Sequence, residues 1–273
     1  MKKLFMAISA ALMLMSCENY SADEIAGTSE KLVTFAISNG ESMTRATLEE
    51  MNITDLWLFD YVGDDLKNTA HKTDEFDAVT LPMSYGEHTV CIVASRGTEP
   101  TVTAPVISWT KPSDTFWATL TIDVQPGTSG THSVILKRVA TRLRISITDK
   151  IPASAATLEV EPATWYYGIN VRTGEGCDAK KQPRQVTIPS SYIGTEGKLT
   201  VSFFGMSPKD EWKTDIAVRL LASDNTKLGE VLLPDAAFQM NSTTIYSGGI
   251  LSTIAPFSVT VDDVWGEDKE NTW

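Results

Sequence analysis

The sequence predicts an all-β protein made of two antiparallel β-sandwich domains in tandem, behind a short apolar leader. Three observations carry this. Period-two alternation recurs along most of the chain, Gly/Pro/Asn/Asp turns separate the alternating runs, and no stretch after residue 30 keeps a helical period over three turns. A chain of this length buries roughly 70–75% of its unfolded surface, enough for two cores.

The leader comes first. Lys2 and Lys3 precede a twelve-residue apolar run, Leu4 to Met15, and Leu14-Met15-Ser16-Cys17 follows. Twelve helical residues rise roughly 18 Å, short of the ~30 Å hydrocarbon core, so residues 1–16 read as a signal peptide and not a membrane span. A small residue followed by cysteine resembles the bacterial lipobox, whose cysteine is acylated and becomes the mature N-terminus; here that is Cys17. Removing 16 of the 273 residues, with both lysines, leaves 257 and takes the formal net charge from −12 to −14. Such an anchor holds through ~0.8 kcal/mol per buried methylene. Residues 17–30 are polar and acidic and read as a flexible tether. Glu18, Asp23 and Glu24 resemble the surface-export signal of Bacteroidetes lipoproteins.

The strands then follow in order. LVTFAISNG, residues 32–40, is the first, with Val33, Phe35 and Ile37 on one face. Thr47 and Glu50 are spaced as a capping box, allowing at most one or two helical turns. ITDLWLFDY, residues 53–61, is apolar on both faces and should be a central strand covered on both sides. In FWATLTIDV, Phe116, Ala118, Leu120, Ile122 and Val124 share a face. QPGTSGTHS, residues 125–133, is the best linker, placing an N-terminal sandwich at 31–130 and a C-terminal one at 131–273. A second candidate linker is DKIPASAAT, residues 149–157. In RVATRLRISITD, Val139, Leu143, Ile145 and Ile147 alternate with Arg138, Arg142, Arg144 and Ser146, and KLTVSFFG, TDIAVRLLA and FSVTVDDV repeat the theme. No internal repeat is evident.

Motifs of catalysis are missing. His71, His88 and His132 are not paired at metal-ligand spacing, and HExxH, CxxC, GxSxG and phosphate-binding glycine loops are absent. Asp64-Asp65 and Asp262-Asp263 read as solvated turn acids, since neither loop has the ligand alternation of an EF-hand. Cys91 lies in an apolar strand and Cys177 in a polar loop, 86 positions apart, so a buried thiol and a loop thiol are expected in place of a disulfide. Trp57, Trp165 and Trp212 belong with apolar strands, whereas Trp109, Trp265 and Trp273 are the candidates for exposure. The acidic balance excludes nucleic acid, whose phosphates need a basic stripe. No catalytic residue, metal or cofactor is expected, and the chain does not read as an enzyme.

Several segments taken together are similar to the fimbrillin superfamily of Bacteroidetes pili, closest to its FimB-type branch of anchor and accessory lipoproteins. They are LVTFAISNG followed by TRAT, ITDLWLFDYVGDDL, LPMSYGEHTVCIVAS, LKRVATRLRISITDKIP, WYYGINVRTGEG, LPDAAFQMNSTTIYSGGI and FSVTVDDVW. They span nearly all of residues 30–265. The resemblance implies transthyretin-like sandwiches, other pilus subunits as partners, and a surface position on the outer membrane through lipid on Cys17. It also implies that an arginine-directed protease can remove a first strand, opening a groove that a neighbour's strand fills by β-augmentation. Arg45 is then the candidate processing site, with Ala46 as the new N-terminus; an anchor that keeps its lipid leaves Arg45 uncut. Val33, Phe35 and Ile37 mark the strand that blocks or exchanges at the edge. The closing strand with Phe257, Val259 and Val261 is either a donor or the last core strand. A host or bacterial surface ligand is compatible with this reading. The alternative is a glycan-binding surface lipoprotein of a polysaccharide-uptake system, which needs exposed tryptophans grouped as a platform.

Overall fold

The computed structural model describes residues 30–39, 48, 51–127, 130–197, 199–251 and 257–262. Cys17, Arg45, Ala46, the Thr47–Glu50 pair, Trp265 and Trp273 lie outside them. Among the described residues the regular elements are all strands apart from one 3-10 turn, Ser190–Tyr192.

The first half contains β1 (Glu30–Asn39), β2 (Asp55–Val62), β3 (Asp65–Lys72), β4 (Ala78–Ser84), β5 (Gly86–Ser95), β6 (Thr98–Thr103), β7 (Val106–Lys111), β8 (Thr115–Val124) and β9 (Thr131–Arg138). Strands β3-β2-β5-β8 form one layer and β9-β1-β4 the other. The layers join where Phe116 and Trp117 of β8 pair with Arg138 and Lys137 of β9. Between them lies a core that includes Val33, Phe35, Leu58, Ile92 and Phe116.

The second half contains β10 (Ala140–Ile147), β11 (Ala155–Pro162), β12 (Trp165–Asn170), β13 (Gly176–Lys180), β14 (Arg184–Thr187), β15 (Leu199–Met206), β16 (Glu211–Ala222), β17 (Lys227–Gln239), β18 (Thr243–Gly248) and β19 (Ser258–Asp262). Its layers are β14-β11-β16-β17 and β15-β10-β18-β19, packed over a core that includes Leu143, Ile145, Trp165, Val218 and Phe238. This arrangement repeats the first half strand for strand. β10 stands for β1, β11 for β2, β14 for β3, β15 for β4, β16 for β5, β17 for β8 and β18 for β9. The one parallel pair of each half is also equivalent, β1 with β9 and β10 with β18. Among the described strands of these four layers, only β19 has no counterpart.

Each half inserts one hairpin into this plan, β6-β7 in the first and β12-β13 in the second. The two hairpins pair through β7 and β12 into a sheet shared by both halves. A third apolar cluster beneath it joins Trp57, Phe59, Val93 and Trp109 to Ile169, Phe204 and Met206. That cluster explains why β2 is apolar on both faces. Leu56 and Leu58 enter the first core, while Trp57, Phe59 and Tyr61 enter the cluster between the halves.

Arg138, just before β10, and Arg142, within it, are buried and do not face water. Arg138 donates through Nε and Nη2 to the two oxygens of Asp114, at 2.7 and 3.1 Å, with its guanidinium over the Phe116 ring. Arg142 is buried and donates to Thr243 Oγ1 at 2.9 Å. Arg172 reaches across to Asp64 and the Gly63 carbonyl, over the ring of Tyr61.

The division expected near residue 130 falls between β8 and β9, two strands of one sheet, and the second set of strands begins at Ala140. Trp109, expected to be exposed, is buried at 1% because it meets Trp57 edge-on and packs on Gly97. Cys177 lies in β13 and not in a loop. Both remaining cysteines are free, Cys91 fully buried.

Candidate assembly interface

The two terminal strands of the described chain sit in opposite circumstances. β1, the strand read as blocking or exchanging at the edge, lies inside a sheet. Seven register pairs tie it to β4 on one side and six to β9 on the other. Val33, Phe35 and Ile37 all point into the first core and are buried, and Phe35 stacks on His132 at 6.0 Å. The opposite face is half-buried, with Thr34 Oγ1 and Thr80 Oγ1 at 2.8 Å. Alternation in β1 therefore encodes an interior strand whose apolar face is essential to the core. At roughly 1.5–3 kcal/mol per side chain, its three core residues contribute about 5–9 kcal/mol.

β19 is held quite differently. Among the described residues it has a single neighbour, β18, to which it is joined by five register pairs. Val259 and Val261 are 57% and 48% exposed, so the apolar face read from the sequence meets solvent and not a core. Beside Val261 a cavity of about 710 Å³ opens, lined also by Lys209, Trp212, Lys213 and Phe238. Among the described residues here, the apolar side chain that reaches the sandwich is Phe257, just before the strand, which packs half-buried against the second core. Main-chain bonds, the Ser258 hydroxyl on the Ser247 carbonyl at 3.1 Å, and this ring hold β19 in place.

Chemistry of other kinds is sparse. No group of three or more His, Cys, Asp or Glu side chains is placed to hold a metal ion among the described residues. Asp60 and His88 form a buried pair at 2.6 Å. Asn68 donates to the other Asp60 oxygen, while His88 Nε2 lies 3.0 Å from the Ser84 carbonyl. This network ties β2, β3 and β5 to the end of β4, so it is a structural clasp. His71 lies in β3 flat on Trp57 at 5.0 Å. Burial and neighbouring Asp178 push the Cys177 thiol up to about 11, which leaves it unreactive near neutrality. Trp57, Trp109, Trp165 and Trp212 are all buried, so they offer no exposed platform for a sugar.

Comparison with known proteins gives the architecture its context. No family model matches the chain, and no curated protein matches it. Solved structures do. A candidate adhesin from Bacteroides ovatus superposes with a TM-score of 0.57 at 11% identity, covering 81% of this chain and 87% of its own. The fimbrial anchor protein Mfa2 from Porphyromonas gingivalis superposes at 0.52 with 9% identity, covering 85% and 97%. The chain has the fold that this adhesin and this fimbrial anchor share. A candidate polysaccharide-binding protein from Bacteroides thetaiotaomicron shares it, with a TM-score of 0.55 at 8% identity over 87% and 99% of the two chains. The tandem sandwiches implied by the resemblance are present. What the sequence did not reveal is the strand-for-strand repeat and its one unmatched member, β19. The only available signal was the run of glycines before it, Gly248 and Gly249.

Proposed function

We propose that the chain is a pilus (fimbria) component of the anchor or accessory kind, exposed on the cell surface. Lipid on Cys17 holds it to the outer membrane, and exchange of β-strands joins it to neighbouring subunits. The observation that carries this reading is the contrast between the terminal strands. β1 follows the tether, so a pull from an anchored Cys17 enters the fold at an interior strand with partners on both sides. β19, at the other end, contributes almost nothing to a core and presents main-chain groups that another subunit can take up. An anchor needs both properties: a fixed end toward the membrane and an exchangeable end toward the filament.

The same contrast bears on Arg45. Cutting between Arg45 and Ala46 would remove β1 together with the lipid and open the slot of Val33, Phe35 and Ile37. A subunit that stays membrane-bound keeps that peptide bond intact. The fold shared with a fimbrial anchor supports the reading. Mass spectrometry of the mature protein from native cell surfaces tests it. The expected product is an intact chain starting at acylated Cys17; a chain beginning at Ala46 would refute the anchor role.

A further inference from the structure

The chain is pinned just after β18 by a side chain that follows the neighbouring strand β10. β10 and its parallel neighbour β18 finish together, with the Thr148 amide on the Gly248 carbonyl at 2.9 Å. One residue on, a single oxygen of Asp149 accepts the amides of Ile250 and Leu251, at 2.5 and 2.7 Å. Ile250 is buried in the second core. Two glycines make the approach feasible. A Cβ on Gly249 would lie 2.9 Å from Asp149 Oδ1, and one on Gly248 would lie 2.6 Å from the Phe257 ring. In β19 the side chains of Ser258–Val261 are exposed.

We propose that Asp149 is the fixed post about which the terminal strand hinges, so that strand exchange releases the chain after Leu251 and no earlier. This rests on reading β19 as the exchangeable strand. Two charge-assisted bonds to adjacent amides, together with a buried isoleucine, keep residues 248–251 in the sandwich when β19 leaves. Six peptide steps separate Leu251 from Phe257, which at about 3.3–3.6 Å each allows a reach of roughly 20 Å. The post thus sets both the length of the exchanged segment and the distance at which a neighbour must present its edge.

Amide hydrogen exchange on the isolated full-length mature chain tests the hinge without any assembly. The Ile250 and Leu251 amides should exchange at least about tenfold more slowly than those of Ser258–Asp262. Asp149→Ala should bring all of them to the fast rate and leave β1 and β9 unchanged; Asp149→Asn, which keeps an uncharged acceptor, should fall between. Equal rates across residues 250–262 in the unmodified protein would overturn the proposal. So would unaltered protection at Ile250 and Leu251 in Asp149→Ala. If the hinge behaves as stated while no exchange with other subunits occurs, the fault lies in the reading of β19 and not in the post.

Discussion

Removing the terminal strand should leave both sandwiches folded. The perturbation is truncation after Leu251 of a soluble mature chain carrying Cys17→Ser. Five register pairs are lost, and main-chain bonds at an exposed edge contribute toward the lower end of roughly 0.5–1.5 kcal/mol each. Phe257 adds about 1 kcal/mol for its half-buried ring. The loss is therefore about 3–5 kcal/mol, confined to the second half, and below the total stability of an ordinary domain. Removing β1 instead would cost the about 5–9 kcal/mol of its buried side chains and pairs on two sides, and the first half should not fold. Urea unfolding followed by tryptophan fluorescence measures the first loss. A synthetic peptide FSVTVDD, residues 257–263, should bind the truncated chain and restore its midpoint. A truncated chain that is unfolded, or one that ignores the peptide, would refute the assignment of β19 as a peripheral strand.

Other consequences follow from the buried polar groups. Asp60→Ala strands His88 in the first half and should cost about 3–5 kcal/mol, read as a lowered thermal midpoint. Arg138→Ala leaves Asp114 buried without its fork and should destabilise by a similar amount, with faster hydrogen exchange at the joint between the halves. Cys177 should resist iodoacetamide at pH 8 and react only as the pH climbs toward about 11, whereas the unfolded chain is modified near pH 8.5. The sign for stability follows, because its folded pKa is raised. The contribution is fully present below the ordinary thiol range and is lost as pH rises from there toward about 11.

Period-two alternation identified the strands well, because one face of a half-buried strand must be apolar whatever its neighbours. ITDLWLFDY even announced two apolar surroundings, and the structure supplies two separate clusters for it. Alternation does not say how many neighbours a strand has. Val33-Thr-Phe-Ala-Ile and Phe257-Ser-Val-Thr-Val look alike on paper, yet the first is interior and the second peripheral. Trp109 misled for a related reason. Its local stretch, ISWTK, is polar enough to suggest exposure, and its burial comes from Trp57 and Gly97, distant partners in the sequence. Arg142 of β10 is buried with its guanidinium over Phe204, a ring of the cluster between the halves, a setting that exists only once both halves have formed. The repeat escaped notice because it lives in strand order and pairing direction, which many sequences satisfy. Asp149 was legible only as a turn residue, since its partners lie about a hundred positions away.

The central claim is that this chain joins a filament through β19. A photo-cross-linking amino acid at Val259, introduced in the native organism, reads that contact directly, because Val259 faces outward in the isolated subunit. Irradiation of intact cells should give a covalent adduct between this chain and another pilus subunit, with the cross-linked peptide mapped to a strand edge of the partner. Adducts confined to β18 and neighbouring residues of the same chain, in cells that display assembled pili, would contradict the account.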